Sequence, residues 1–264
     1  MSRILWQNNT TVFPGGEKDF ARVWDVIQAH FKRVGRPDTV VTLQHLDRST
    51  NFVRSRYGDF VNSKEVVECL INADKGYDAA VIGCMTDSGL YEAREAVSMP
   101  IVAVAEAPML MSLALGYRFA IVTVDQAIVP NMEKLVRLYG LESRSIYRPV
   151  RAVDTPLYRQ DYLQAVDDPE KVVIPRFEKV ARECILDGAE VIIIGCGYLG
   201  PILYSHGYRE ISGTGALALD PTTSALKLAE SLADMRLLAG IEKSRAGYFK
   251  PIPENLFEQI REAL

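Results

Sequence analysis

The sequence predicts an α/β protein of two pseudo-symmetric, Rossmann-like lobes, each a parallel sheet flanked by helices, with the active site in the cleft between them. Three observations predict it. Short β-branched apolar runs alternate with longer helical patterns, the signature of buried parallel strands joined by crossover helices. The pattern restarts near Arg118. The landmarks of the first half then recur in the second: Glu68-Cys69-Leu70 matches Glu183-Cys184-Ile185, Ile82-Gly83-Cys84 matches Ile194-Gly195-Cys196, and Ala105-Glu106 matches Leu219-Asp220. The offsets are 115 at the helix cysteines (69 to 184), 112 at the Gly-Cys pairs (84 to 196) and 114 at the acids (106 to 220), which reads as an internal duplication.

In chain order, residues 3–7 read as the first strand, and 17–34 as a helix that ends near Gly35 and Pro37. A strand follows at 39–43, and a helix at 63–75 with Ser63 as its cap. Residues 79–83 form a continuous apolar strand, 90–97 a short helix stopped before Pro100, 101–104 a strand and 108–116 a helix. In the second half, strands are expected at 118–124, 143–149, 191–195 and 215–219. Helices are expected there at 132–138, 170–187 and 222–239. A loop at 242–253 leads to a terminal helix at 254–263. The lobes are expected to be 1–117 plus 222–264, and 118–221, with right-handed crossovers.

Of the 264 residues, 48% are hydrophobic and 24% charged, enough to bury a core in one large domain or two lobes. The net charge of −4 and the lack of a basic cluster argue against a nucleic-acid partner. No apolar run reaches ~18 residues, so no membrane span is expected. The first residues read as a strand and not as a signal peptide, which makes a cytoplasmic location the default. The histidines His30, His45 and His206 are far apart and no cysteine pair has C-x-x-C spacing, so no metal site is expected. No glycine-rich phosphate loop calls for an organic cofactor, so the cofactor expectation is none. A small-molecule substrate and a homo-oligomer are expected.

The chemistry is placed at Cys84 and Cys196. Each follows Gly at the carboxyl end of a strand, where open parallel sheets bind ligands. A pseudo-dyad aims both thiols at one small cavity. Nearby helix N-termini are expected to favour the thiolates. Cys69 and Cys184 lie mid-helix and are read as small core side chains. Two facing thiols suit inversion of an acidic carbon: one thiolate removes a proton, and the other thiol returns one to the opposite face. The backbone N–H groups of Thr86, Asp87, Gly197 and Tyr198 are candidates for an oxyanion cradle. Glu106 and Asp220 suit helix capping at least as well as catalysis.

These segments carry a resemblance. Gly83-Cys84-Met85-Thr86-Asp87-Ser88-Gly89-Leu90 resembles the first cysteine motif of hydantoin racemases, and Gly195-Cys196-Gly197 the second. Ala105-Glu106-Ala107-Pro108-Met109, the run from Gly215 to Pro221, and Lys243-Ser244…Tyr248…Pro251 resemble further elements of the same family. The resemblance covers most of the chain and implies the Asp/Glu/hydantoin racemase superfamily, which is cofactor-independent and two-lobed. It implies Cys84 and Cys196 as catalytic bases, with Asn9 and Thr10, and their counterparts Thr123 and Val124, holding the substrate. Where the family start has Asn-Pro-Asn-Thr, this chain has Gln7-Asn8-Asn9-Thr10. A long loop at 44–62, carrying His45, Arg54, Arg56 and Tyr57, replaces a shorter family segment and is expected to help select the substrate.

The resulting expectation is a cofactor-independent racemase or epimerase acting beside a carbonyl, on a hydantoin, an allantoin-like ureide or an amino-acid derivative. Two alternatives stand beside it. One is a cis–trans isomerase of a small diacid such as maleate, with one Cys as nucleophile. The other is a non-catalytic two-lobed binding protein, which has no reason to carry two symmetry-related thiols.

Overall fold

Each half of the chain forms its own four-stranded parallel sheet. The first has the order β2-β1-β3-β4, from β1 (Ser2–Gln7), β2 (Thr39–Gln44), β3 (Ala79–Ile82) and β4 (Ile101–Ala103). The second repeats it as β6-β5-β7-β8, from β5 (Phe119–Thr123), β6 (Ser145–Ala152), β7 (Val191–Gly195) and β8 (Leu217–Leu219). The computed structural model describes residues 1–14, 18–50 and 52–263. In both sheets the strand order reverses between the two central strands, β1 and β3 or β5 and β7, which opens a crevice at their carboxyl ends.

The central strands are apolar because both faces are covered: β3 and β7 are buried at every position. Alternate side chains of the first sheet enter two cores. Ile4, Trp6 and Val81 join a core that continues into the second sheet, while Leu5, Ala80 and Ile82 join a smaller one with Leu70, Leu90 and Met99. Helix α1 (Ala21–Val34) buries Val23, Trp24, Ile27 and Phe31, one helical stripe. The Phe31 ring lies 4.7 Å from that of Trp6. Helix α10 (Pro221–Ala239) begins with Pro221 in its first turn, where a missing N–H costs nothing, and ends at Gly240 with φ +65°. It packs back on β1, β3, β4 and α4 (Glu106–Leu115).

Several elements differ from expectation, each for a local reason. Helix α2 (Arg56–Ala73) begins at Arg56 instead of 63, capped by Ser55, whose hydroxyl accepts from Gly58 N at 3.0 Å. Gly58 reads as a loop residue but is buried in the helix, and a Cβ there would lie 2.5 Å from the Phe52 carbonyl oxygen. Ser63 is mid-helix, donating to the Asp59 carbonyl. The expected long loop therefore shrinks, and Arg56 and Tyr57 lie on α2. Its residue 51 lies outside the described residues, as does the expected helix start at 17; a 3₁₀ turn at Lys18–Phe20 leads into α1.

The helix expected at 170–187 is two, α7 (Pro169–Val172) and α8 (Ile174–Leu186), because Pro175 cannot continue the hydrogen-bond ladder. Helices α6 (Arg159–Asp167) and α9 (Leu199–Ser205) were not expected, while α3 (Leu90–Ala96), α5 (Val129–Leu138) and α11 (Glu254–Glu262) stand close to their expected places. Strand β8 starts at Leu217, since Gly215 has φ +74°. Strand β6 accommodates Pro149 as an edge strand. No helix among the described residues is long and apolar enough to cross a membrane.

Candidate active site at the two cysteine turns

The chain leaves β3 through Gly83 into Cys84, and leaves β7 through Gly195 into Cys196. Both glycines are required by close packing. A Cβ on Gly83 would lie 2.4 Å from Trp6 Nε1, and one on Gly195 2.8 Å from Thr123 Cα. The two turns meet: a Cβ on Gly197 would sit 3.5 Å from the Gly83 carbonyl oxygen. Both cysteines, half-buried, line one cavity of about 530 Å³. Asn9, Thr10, Thr86, Val124, Gly197, Tyr198 and Arg54 line it too. Phe20, Phe52 and Met132 add apolar wall.

The two thiols have different surroundings. Cys84 Sγ lies 3.1 Å from Thr86 Oγ1. Asp59, on the first turn of α2, gathers the polar side chains here: its Oδ1 accepts from Thr86 Oγ1 at 2.8 Å, Ser88 Oγ at 2.7 Å and Asn9 Nδ2 at 3.2 Å. Asn9 Nδ2 also donates to Ser88 Oγ at 2.6 Å, while Asn9 Oδ1 is buried without a partner among the described residues. Burial, with the charge of Asp59, pushes the Cys84 thiol up to about 11. This reverses the expectation of a favoured thiolate at Cys84: the sulfur is buried, α3 starts only at Leu90, and the charge that bears on the sulfur is the Asp59 carboxylate beyond Thr86. Burial also raises Asp59. On the other side, Cys196 Sγ donates toward Tyr162 Oη at 3.7 Å. Tyr198 sits between Phe20, Trp24 and Tyr162 as an edge-on cluster, its hydroxyl 3.2 Å from Thr10 Oγ1. Burial raises both phenols, so they stand as neutral hydroxyls.

Four expected site residues lie outside the cavity lining. Asp87, at φ +48°, donates its amide to the Cys84 carbonyl, so that N–H is not available to an oxyanion. Its buried carboxylate caps α4, accepting from Ala105 N at 2.8 Å and Glu106 N at 2.9 Å, and accepts from the Tyr139 hydroxyl at 2.6 Å. Burial raises this carboxyl to about 7. Thr123 is fully buried and donates to the Gly195 carbonyl at 3.1 Å, because β5 and β7 pair in that register. His45 packs behind the wall, its ring 4.5 Å from Trp24, and accepts at Nδ1 from Asn8 Nδ2. Arg56 is exposed on α2.

Arg54 does reach the cavity. Its guanidinium pairs with Asp125 Oδ2 at 2.5 Å, donates to the Leu157 carbonyl and lies 5.1 Å over the Tyr158 ring, so it ties the first half to the second. Glu106 pairs with Arg94, and Asp220 caps α10, so both acids hold structure. Cys184 is fully buried, as its core reading requires, whereas Cys69 is half-buried. Among the described residues no cluster of three His, Cys, Asp or Glu side chains is placed to hold a metal. Sequence reasoning missed Asp59 and Tyr162; the first is hidden in an apparent Gly-Asp turn, the second in an unrecognised helix.

Residues 21–229 match the Asp/Glu/hydantoin racemase family. The chain is similar to the hydantoin racemase of Rhizobium meliloti, with 34% identity over 161 residues, 60% of this chain and 61% of that one. It thus spans less than two thirds of that relative's length. It is 29% identical to the hydantoin racemase of Pseudomonas sp. (strain NS671) over 77% of this chain and 78% of that one. Its fold superposes on the allantoin racemase from Klebsiella pneumoniae with a TM-score of 0.77 and 21% identity, over 96% of this chain and 95% of that chain. With the family match covering most of its length, the chain belongs to the Asp/Glu/hydantoin racemase family.

Proposed function

We propose that the protein is a racemase or epimerase that inverts a carbon acid beside a carbonyl without a cofactor, with Cys84 and Cys196 as the two bases. The observation that carries this reading is that two Gly-Cys turns, one from each sheet, open into the same cavity. In the direction that begins with Cys84 protonated, the Cys196 thiolate removes the Cα proton and the electron pair moves into the carbonyl. The Cys84 thiol then delivers its proton to the opposite face. The reverse direction exchanges the roles. Water exclusion by Phe20, Met132 and Tyr162 strengthens the electrostatics of the step.

A hydantoin or allantoin-like ureide is the favoured substrate class. The carboxylate of Asp59 next to Cys84 repels a second carboxylate, which weighs against a free amino acid or a small diacid. The Asn9 amide oxygen, buried and without a partner among the described residues, suits a substrate N–H when the side chain turns toward the cavity. The relatives of this chain named above, the hydantoin racemases, agree with that class. The lobe division 1–117 plus 222–264 against 118–221 belongs to the same proposal. It is supported by α10 packing on the first sheet and by Lys243 donating to the Arg94 and Val97 carbonyls.

The test is proton exchange in deuterated water. Single enantiomers of a 5-substituted hydantoin, allantoin and glutamate are incubated with the protein. The Cα proton signal and the optical rotation should both decay for a ureide. Folded protein that leaves both unchanged for every ureide would overturn the reading.

A further inference from the structure

We propose that Asp59 is a positioning residue for Cys84: by accepting from Thr86 and Ser88 it turns the Thr86 hydroxyl proton away from the sulfur, so that Cys84 rests as a thiol donating to Thr86. This deepens the reading of Cys84 as an acid–base group and rests on it for its consequence, though not for its geometry.

An ionised carboxylate only accepts hydrogen bonds, and a hydroxyl has a single proton. Asp59 Oδ1 takes Thr86 Oγ1 at 2.8 Å, and the Ser88 hydroxyl, 2.7 Å from Asp59 Oδ1 and 2.8 Å from Thr86 Oγ1, shares its one proton between them. With the Thr86 proton pointed at Asp59, what Thr86 turns to Cys84 Sγ at 3.1 Å is a lone pair. The sulfur must then supply the proton of that contact. A thiolate in its place would face a lone pair and, one atom further, a negative charge. The Asn9 amide, which faces Asp59 and Ser88, and the Thr86 backbone N–H also act on the sulfur and favour the thiolate, so the hub works against them together with burial.

The charged and titratable groups facing this cluster are few. Asp59 comes from α2, the Tyr198 phenol from the turn before α9, and Lys134 on α5 acts on Asp59 from the second half. The sulfur of Cys196 meets Tyr162 and, among the described residues, no carboxylate hub, so the duplication is not symmetric in its charges. The consequence is that Cys84 rests protonated, ready to act as the acid of the proposed step.

The experiment measures the pH dependence of iodoacetamide alkylation in the full-length protein, with each cysteine peptide read by mass spectrometry. In Asp59→Asn, Cys84 should alkylate about tenfold faster near pH 8, a downward shift of about one pH unit in its midpoint. The Cys196 profile should stay in place as the internal control. Thr86→Val gives the independent reading. It should also lower the Cys84 midpoint, because it removes the acceptor of the neutral thiol; an upward shift means that Thr86 donates to the sulfur and overturns the proposal. An unmoved Cys84 midpoint in folded Asp59→Asn overturns it equally, since a purely structural Asp59 changes stability and not the midpoint. If Asp59→Asn fails to fold, Thr86→Val decides. Because alkylation needs no substrate, failure of the racemase reading leaves this result standing, and the reverse holds too.

Discussion

Removing the Asp220 carboxylate should destabilise the protein strongly while leaving its chemistry intact. Asp220 is fully buried and does not line the cavity. Its carboxylate accepts from Thr222 N at 3.0 Å and Thr223 N at 2.9 Å, from Thr223 Oγ1 at 2.6 Å, and from His30 Nε2 at 2.8 Å. His30 Nδ1 in turn accepts from Arg33 Nη2 at 2.8 Å, which leaves the Nε2–H tautomer for Asp220. Alanine at 220 uncaps α10, a loss of about 1 kcal/mol. It also leaves buried His30 and half-buried Thr223 without their carboxylate acceptor, about 1–3 kcal/mol more. We expect about 3 kcal/mol in total, a fall in Tm on the order of 10 °C for a chain of this size. Asp220→Asn keeps one cap acceptor and should lose about half as much. Urea and thermal unfolding read the stability, and kcat of the folded fraction should stay within about twofold of the parent. A Tm change under about 2 °C, or lost turnover at parent stability, would refute the structural assignment.

Arg54→Ala should raise KM about fivefold through loss of the Asp125 clamp, of order 1 kcal/mol, whereas Arg56→Ala on the exposed face of α2 should leave steady-state kinetics unchanged. Asp87, raised by burial to about 7 from an ordinary value near 3.8, binds a proton more readily folded than unfolded. Its contribution to stability therefore falls as pH rises through that window, and the destabilisation caused by Asp87→Asn should shrink between pH 4 and 7 in urea titrations. A penalty that grows with pH would contradict the raised value. Cys184→Ala should cost about 1–2 kcal/mol, and half-buried Cys69→Ala measurably less, when Tm values are compared.

The strands were legible because burial on both faces writes an unbroken apolar run, as in Ala79–Ile82 and Val191–Gly195. The duplication was legible because Gly must precede each Cys where a neighbouring strand passes within contact distance. What surrounds each thiol was not legible. Asp59 follows Gly58, a pair that reads as a turn, yet the glycine serves a close approach inside a helix. Thr123 was expected as a counterpart of Asn9, but the register of β5 on β7 turns the Thr123 hydroxyl to the Gly195 carbonyl and away from the cavity. Asp87 was expected to offer its amide; the left-handed turn directs its carboxylate to the start of α4, a contact across 18 residues that no local pattern announces. The arginine pair at 54 and 56 divides because α2 begins between them.

The most direct test of the two-base account follows hydrogen exchange at the substrate carbon in Cys84→Ser and Cys196→Ser, using separate enantiomers of a ureide in deuterated water. Serine preserves size and polarity but is too weakly acidic to act as the base. Each variant should lose racemisation by several orders of magnitude, retain solvent exchange with one enantiomer only, and choose the enantiomer opposite to that of the other variant. Near-parent racemisation in either variant, or the same enantiomer chosen by both, would contradict the assignment of one thiol to each face.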